Sequence, residues 1–367
     1  MIHSTHVRKK IQLRSPHTLD DRNHPRFNIL KYRSPETFVA TIPDGYTVWG
    51  GNTSIGSRGI LACITPTREL LADVSPRFPQ PDVDYTYPSP QTHWVFDVPA
   101  LPDLETFGGT VAVLAAFAGD VGTANYFHWF IDLVSRVGLL QQAGIDLQSI
   151  DGFLVDRFNP NISFQRHSLD VLGIPTEKVL SIHEHSHLQA QHLIVPAIPG
   201  KLTFASQFTV DFLRNTYRNR FRQAGVNSSK RLYITRQNAQ YRRVLNEDAV
   251  LQVLQPLGFT SIAPETLSFP EQVSLFSQAE AIIAPHGAGL TNIAFCEPDT
   301  KIIELFPADY VLPYYWILAS EAELNYFYLV GKGIDCPNLH RLVYPNSMNA
   351  DLFVNLDELR LLIQKIF

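Results

Sequence analysis

AIIAPHGAGLTNIAFCEPDTKIIELFP, residues 281–307, is the stretch on which the fold turns. An apolar run, 281–284, stops at Pro285. His286, Gly287, Ala288, Gly289, Leu290, Thr291 and Asn292 follow, and a second apolar run, 301–306, carries Glu304. The pattern predicts strand, glycine turn, short helix, strand. Such a unit presents backbone N–H groups and a helix N-terminus at the end of a sheet, which suits an anion. His286 can add a charge or a donor, and Thr291 and Asn292 add neutral donors. Glu304, near the end of the second strand, is placed to accept two ribose hydroxyls. The third glycine of the dinucleotide fingerprint is absent, Asn292 standing in its place, and no P-loop lysine follows. A tight turn without a ligand therefore stands beside the anion-binding reading.

Working outward, strand and helix patterns alternate on both sides of this unit. Towards the C-terminal half, RLYITR (231–236) reads as a strand and 246–258 as a helix ended by Gly258. FTSIAP (259–264) reads as a strand. SFPEQVSLFSQAE (268–280) reads as a helix capped by Ser268, with Pro270 and Glu271 in its first turn. Towards the N-terminus, 110–119 is a buried strand leading into the helix YFHWFIDLVSRVGLLQQAG. Strands are expected near 152–155, 179–182 and 192–195, and a helix near 163–172 stopped by Gly173 and Pro175. Pro196, Pro199 and Gly200 mark a linker. The expected class is α/β, with two facing, doubly wound, mostly parallel Rossmann-like domains and a small β-rich segment before them. The segments are 1–36, an irregular basic arm; 37–105, packed on the N-terminal domain, with short antiparallel strands cut by Pro43, Asp44 and Gly45 and then a proline-rich aromatic loop over 75–103. An N-terminal domain follows at 106–200 and a C-terminal domain at 201–345. The final helix, 346–367, is expected to cross back onto the first domain. Ligands of such folds lie at the carboxyl ends of strands, and the default site is the cleft between the domains.

With 367 residues, 45% hydrophobic and 18% charged, the chain can bury two cores. A net charge of −5 gives no footprint for nucleic acid or an anionic membrane. No run of about 18 apolar residues predicts a transmembrane helix. The start, MIHSTHVRKKIQLRSPH, lacks the apolar stretch of a secretory signal. Cys63, Cys296 and Cys336 are too few and too scattered for a disulfide framework or a closed metal site. The Asn-x-Ser/Thr sequons at Asn52, Asn161 and Asn227 carry little weight without that signal.

Several constellations could carry chemistry. His128 and Asp132, four apart, share a helix face, so the carboxylate can orient the imidazole as a base; packing in the aromatic face is the plainer reading. Arg236 ends a strand, and Arg242 and Arg243 precede a helix opened by Asn246 and Glu247. Arginines so placed suit bidentate phosphate binding, while a solvated loop is the alternative. Glu247 reads as a helix-capping residue. His183, His185, His187 and His192 alternate along a strand and could chelate zinc, but no cysteine or carboxylate pattern supports a closed site. Asp82 and Asp84 spell the Asp-x-Asp that holds a metal on nucleotide diphosphates, yet they lie in a proline-rich loop. Arg214, Arg218, Arg220 and Arg222 read as a solvated helix face.

Taken together, NYFHWFIDLVSRVGLL, RLYITRQNAQYRRVLNE and the 269–307 run with PHGAGLTNIAFC and IIELFP resemble glycosyltransferase family 61 in content, order and spacing. The resemblance spans roughly residues 38–345. It departs from the family where CEPDTKIIE stands and a glycine often precedes the last strand. It implies the two-domain GT-B architecture and an inverting transfer from a nucleotide-sugar donor, UDP-type, to a hydroxyl of a glycan or protein. It also implies a place in polysaccharide biosynthesis and a bacterial cytoplasmic location, with peripheral association to the inner membrane as an option. Arg236, Arg243 and the His286–Asn292 turn then match the donor diphosphate site, Glu304 the ribose or uridine contact, and His128 with Asp132 the acceptor side. Arginines, a histidine and a helix N-terminus at the diphosphate predict no metal requirement. A pyruvyl-type transferase and a non-catalytic nucleotide- or glycan-binding relative are the rival readings.

Overall fold

The computed structural model describes residues 1–6, 9–19, 23–50, 61–75, 93–115, 125–156, 158–201, 203–222, 229–334 and 336–367. Asp82, Asp84, most of the 75–103 loop and the sequons at Asn52 and Asn227 lie outside them. The chain packs as two compact units, Met1–Lys10 with Arg33–Thr216, and Ile11–Tyr32 with Tyr217–Phe367. None of the described helices is long and apolar enough to cross a membrane.

The first unit is built on one mixed sheet. Its strands are β1 (Ile2–His6), β4 (Thr37–Trp49), β5 (Leu61–Ile64), β6 (Glu105–Val113), β7 (Gly152–Val155), β8 (Val179–Ser181) and β9 (His187–Pro196). Two short strands, β2 (Lys10–Gln12) and β3 (Lys31–Arg33), lie where the chain passes from one unit to the other and back. The sheet order is β1-β4-β9-β6-β7-β8, with β5 on β4. Only β9-β6-β7-β8 is parallel; β1, β4 and β5 pair antiparallel. β4 and β5 pair antiparallel, and β4 hydrogen-bonds along β9, so both strands extend the sheet of this unit.

The turn expected at residues 43–45 is absent. β4 runs straight through it, pairing Pro43 with His192 and Gly45 with Ala190 in unbroken register. Asp44 absorbs the irregularity with φ 50°. Gly45 is needed there, since a Cβ would sit 3.0 Å from the Ile42 and Leu193 side chains. The core beneath holds Val111, Val113, Leu154, Leu188, Leu193 and Val195, alternating residues of the central strands.

The second unit carries an all-parallel sheet of β10 (Arg231–Ile234), β11 (Phe259–Ile262), β12 (Ala281–Pro285), β13 (Lys301–Phe306) and β14 (Asn325–Val330). The order is β11-β10-β12-β13-β14. On one face Tyr233, Ile283, Ile303 and Leu305 pack under the helices Glu247–Leu254 and Leu356–Ile366. The last helix, capped by Asn355, buries Leu359, Leu362 and Ile363 in this core. Its apolar stripe is covered there, and the helix belongs to the second unit. The other face is covered by the helices Phe269–Ser277 and Tyr314–Glu321, both in contact with a 3₁₀ helix, Ala288–Phe295. Ser268 and Glu271 form the expected capping box.

The N-terminal arm is not irregular throughout. β1 pairs with β4, and residues 11–32 are a working part of the second unit. His17 donates its N–H to the Tyr326 carbonyl and accepts from the Tyr328 N–H. Phe27, 1% exposed, wedges among Phe306, Trp316, Tyr326 and Tyr328 at centroid distances of 4.6–6.2 Å. Phe27→Ala should cost about 3–5 kcal/mol of stability, the range for truncating a buried phenylalanine. Urea unfolding followed by tryptophan fluorescence checks it; a loss below 1 kcal/mol would mean the arm is not held there.

Candidate functional site

In the second unit's sheet, β10 is followed in sequence by β11 on one side, and the chain then crosses back to β12 on the other. The crevice of such a sheet opens where the order reverses, at the carboxyl ends of β10 and β12. Arg236 lies two residues beyond β10, and His286 directly follows β12.

The turn is tightly held. The His286 N–H donates to the Leu305 carbonyl and the Leu290 N–H to the Gly287 carbonyl. The Asn292 amide donates to Gln272 Oε1 at 2.9 Å and to the Gly289 carbonyl at 3.2 Å. Asn292 is fully buried and so fixes the turn to the helix Phe269–Ser277 rather than offering donors to a ligand. Thr291 is likewise buried, and Leu290 is core. Ala288 and Gly289 are partly exposed at the start of the 3₁₀ helix. Of the two glycines, Gly287 is the one the geometry demands. A Cβ there would lie 2.2 Å from Arg236 Nη1, whereas at Gly289 the nearest atoms are at 3.5 Å.

Arg236 donates through Nη2 to the Tyr241 carbonyl at 3.0 Å, and its Nε is buried with no hydrogen-bond partner among the described residues. Burial and the neighbouring Arg242 push its pKa down to about 10, so it remains a cation that its surroundings disfavour. Arg242 donates from Nε to the His286 carbonyl at 3.1 Å and from Nη1 to the Met348 carbonyl at 2.9 Å. Its guanidinium lies over the rings of Tyr241 and Tyr310, at 4.7 and 5.4 Å. Among the described residues no carboxylate forms a salt bridge with either arginine.

Arg243 is not part of this set. It points to Asp351, whose carboxylate accepts from its backbone N–H at 2.8 Å and from Nη2 at 2.8 Å. The reason is local. Arg242 adopts φ 56°, and that left-handed step sends consecutive side chains in unrelated directions. The doublet Arg242-Arg243 gives no sign of which member faces the turn, and a positive φ at arginine has no signature in sequence.

Glu304 is also misplaced by the sequence reading. It is fully buried, with Oε1 2.5 Å from His286 Nδ1 and Oε2 accepting from the Tyr326 hydroxyl at 2.5 Å. Both oxygens are engaged, so it is not a ribose contact but the partner of His286. β12 and β13 run in parallel with Ala284 opposite Glu304, which puts a residue two beyond Ala284 directly above the carboxylate. Burial, with Arg242 and Arg236 nearby, holds the His286 imidazole well below its usual range, and burial holds the Glu304 carboxyl well above its own. Phe306 stacks on the imidazole at 5.3 Å, and Tyr310 and Tyr315 flank it. Glu247 does not cap its helix either. It is buried and accepts from Tyr233 Oη at 2.8 Å and Thr235 Oγ1 at 2.9 Å, which fixes the strand end before Arg236.

In the first unit, Asn125 caps the helical run 126–142, accepting from the Phe127 N–H at 3.0 Å. His128 stands in the first turn. The next turn is a π-helix, Trp129–Val134, a widening that recurs at functional positions. It carries Asp132, 2% exposed, which meets His128 Nδ1 at 2.6 Å and accepts from the Thr203 N–H at 2.9 Å. His128 itself is 19% exposed. The carboxylate holds Nδ1 and so fixes the orientation of the ring. Deeper in the run, Arg136 is buried and donates to the carbonyls of Leu114, Ala115 and Pro196, tying the ends of β6 and β9 together.

The histidine alternation makes no chelate. His185 meets Glu105 at 2.8 Å and His187 the Pro102 carbonyl at 2.8 Å, while His183 packs on Trp49. Among the described residues no three metal-ligating side chains converge. The arginine face is not simply solvated. Arg218 and Arg222 both pair with Glu297, and Arg214 is buried.

Residues 126–303, from the first turn before His128 to the strand of Glu304, match the family model Glycosyltransferase 61. The chain carries a glycosyltransferase 61 domain. Two plant proteins align with 60 residues of it. One is the beta-1,2-xylosyltransferase RCN11 of Oryza sativa subsp. japonica, 32% identical. The other is a beta-1,2-xylosyltransferase of Arabidopsis thaliana, 35% identical. Each match covers 16% of this chain and spans 11% of the relative. Among solved structures, the bacterial iron-containing dodecameric glycosyltransferase TibC from enterotoxigenic E. coli H10407 aligns over 83% of this chain and 82% of its own. That alignment has 11% identity and a TM-score of 0.25. The glycosyltransferase 61 match thus covers His128, Asp132, Arg236, Arg242 and the His286 turn, and stops one residue before Glu304.

Proposed function

We propose that this protein is an inverting, metal-independent glycosyltransferase that moves a sugar from a nucleotide diphosphate donor to a hydroxyl of a glycan or protein. The observation that carries the reading is the pair Arg236 and Arg242, two neighbouring guanidinium groups without a carboxylate salt bridge, beside the glycine turn. Two cations held together unpaired cost free energy until an anion arrives. A leaving diphosphate is such an anion. It would take over the charge neutralisation that a divalent metal supplies elsewhere, and charge that grows as the glycosidic bond breaks strengthens the contacts in the transition state. The His286 Nε2 and the exposed start of the 3₁₀ helix add donors to the same place.

His128, held by Asp132, is assigned the acceptor proton as general base. The GT-B arrangement of two Rossmann-like domains, a UDP-type donor and a role in cytoplasmic polysaccharide biosynthesis complete the proposal. The names of the plant relatives direct the first donor trial to UDP-xylose.

The test is nucleotide release from UDP-sugars in the presence of a panel of glycan acceptors, with and without EDTA. EDTA-insensitive turnover supports the reading. Turnover that disappears with EDTA removes the metal-independent part. His128→Ala should lower kcat by about 10²–10⁴-fold, the range for losing a positioned base, with donor binding unchanged. A kcat within threefold of wild type would take His128 out of the chemistry.

A further inference from the structure

Both oxygens of the Glu304 carboxyl are engaged inside the protein, one of them by the imidazole of His286. The Glu304 carboxyl bridges Tyr326 Oη, through Oε2, and His286 Nδ1, through Oε1, both hydrogen bonds 2.5 Å long. Tyr326, Glu304 and His286 are 4% exposed or less. The ring is clamped by Phe306, Tyr310 and Tyr315, so it cannot turn away from the carboxyl. Arg236 and Arg242 bear on the imidazole from the β10 side, and a third cation next to them is unfavourable while no anion is present.

We propose that Glu304 is a positioning residue that stores a proton for His286 and passes it across their hydrogen bond as negative charge develops on the leaving diphosphate. The inference rests on the glycosyltransferase reading above. In the empty site Glu304 is a neutral carboxylic acid donating to Nδ1, and His286 is neutral with its proton on Nε2. When the sugar–phosphate bond breaks, the phosphate oxygen gains charge. The proton then moves from Glu304 Oε1 to His286 Nδ1. The imidazole becomes imidazolium and Glu304 becomes carboxylate, its charge received by the Tyr326 hydroxyl. No proton enters or leaves the protein and net charge is unchanged. The cation exists only when there is an anion to meet it, so it favours the transition state over the bound donor. Burial that raises the carboxyl and lowers the imidazole sets the empty-site arrangement.

Glu304→Gln separates the roles. An amide can still donate to Nδ1 and accept from Tyr326, but it has no proton to give. The expected result is a kcat lower by at least tenfold with UDP affinity within threefold of wild type. A kcat within twofold of wild type overturns the proposal. Nitrogen-15 histidine NMR on the wild-type protein keeps the test independent of how that variant folds. His286, assigned by its loss in His286→Asn, should read as neutral with Nε2 protonated in the free protein and as imidazolium with UDP bound. A cation in the free protein, or a neutral ring in the UDP complex, overturns it. If UDP does not bind at all, the glycosyltransferase reading fails first, which separates the two failures.

Discussion

Replacing Arg236 or Arg242 by methionine should lower kcat/KM by about 10²–10³-fold, the range for removing one preorganised charge-stabilising donor. The same change at Arg243 should leave kcat/KM within about threefold. The contrast follows from contacts. Among the described residues Arg236 and Arg242 bond to carbonyls and to no carboxylate, while Arg243 is already satisfied by Asp351. Arg236→Met carries a second signature. Its guanidinium is held at about 10 by burial and by Arg242, so the folded protein resists the charge. With the pKa lower in the folded state than in the unfolded chain, the charge costs stability at every pH below 10. The methionine variant should melt no lower than the wild type at pH 7, while losing activity. A function lost without a fold lost is the mark of a site that stores strain for a ligand. Equal effects at positions 242 and 243 in a steady-state assay would place the phosphate contacts elsewhere in the loop.

The second large effect is steric. Gly287→Ala puts a Cβ 2.2 Å from Arg236 Nη1, so the guanidinium has to leave the position it now holds. Gly289→Ala meets only ordinary contacts at 3.5 Å. Gly287→Ala should therefore approach the loss of Arg236→Met, about 10²-fold, and Gly289→Ala should stay within about fivefold. Combining Gly287→Ala with Arg236→Met should add little beyond either alone, because both remove the same contact. Independent, multiplying losses in that double mutant would mean that Gly287 acts on something other than Arg236.

The sequence exposed the strand–turn–helix–strand of 281–306 because apolar runs bounded by Pro285 and two glycines leave few other arrangements. It also exposed Arg236 at a strand end and the His128–Asp132 spacing. What it hid follows from tertiary placement. Whether Arg242 or Arg243 faces the turn depends on one left-handed backbone step. Glu304 reads as available at a strand end until β13 is seen between β12 and β14, where a side chain on that face has no exit. Asn292 and Thr291 look like donors, but a turn must spend such groups on itself when helices cover it. Pro43, Asp44 and Gly45 read as a turn, yet β4 continues because its hydrogen bonds to β9 on either side outweigh local propensity. Residues 11–32 read as a polar arm because the side chains that anchor them, Leu13, Phe27 and Tyr32, are scattered and make no periodic pattern.

On the reading proposed above, the β10–β12 crevice holds a nucleotide diphosphate through Arg236 and Arg242. The most direct test is the melting temperature of the wild-type protein and of Arg236→Met with UDP, in EDTA. A ligand that binds only the folded state at a hundred times its Kd stabilises it by about 2.7 kcal/mol. A clear upward shift for the wild type, unchanged by EDTA and absent in Arg236→Met, is the predicted result. An equal shift in both proteins, or none in either across UDP, GDP, CMP and dTDP, would contradict it.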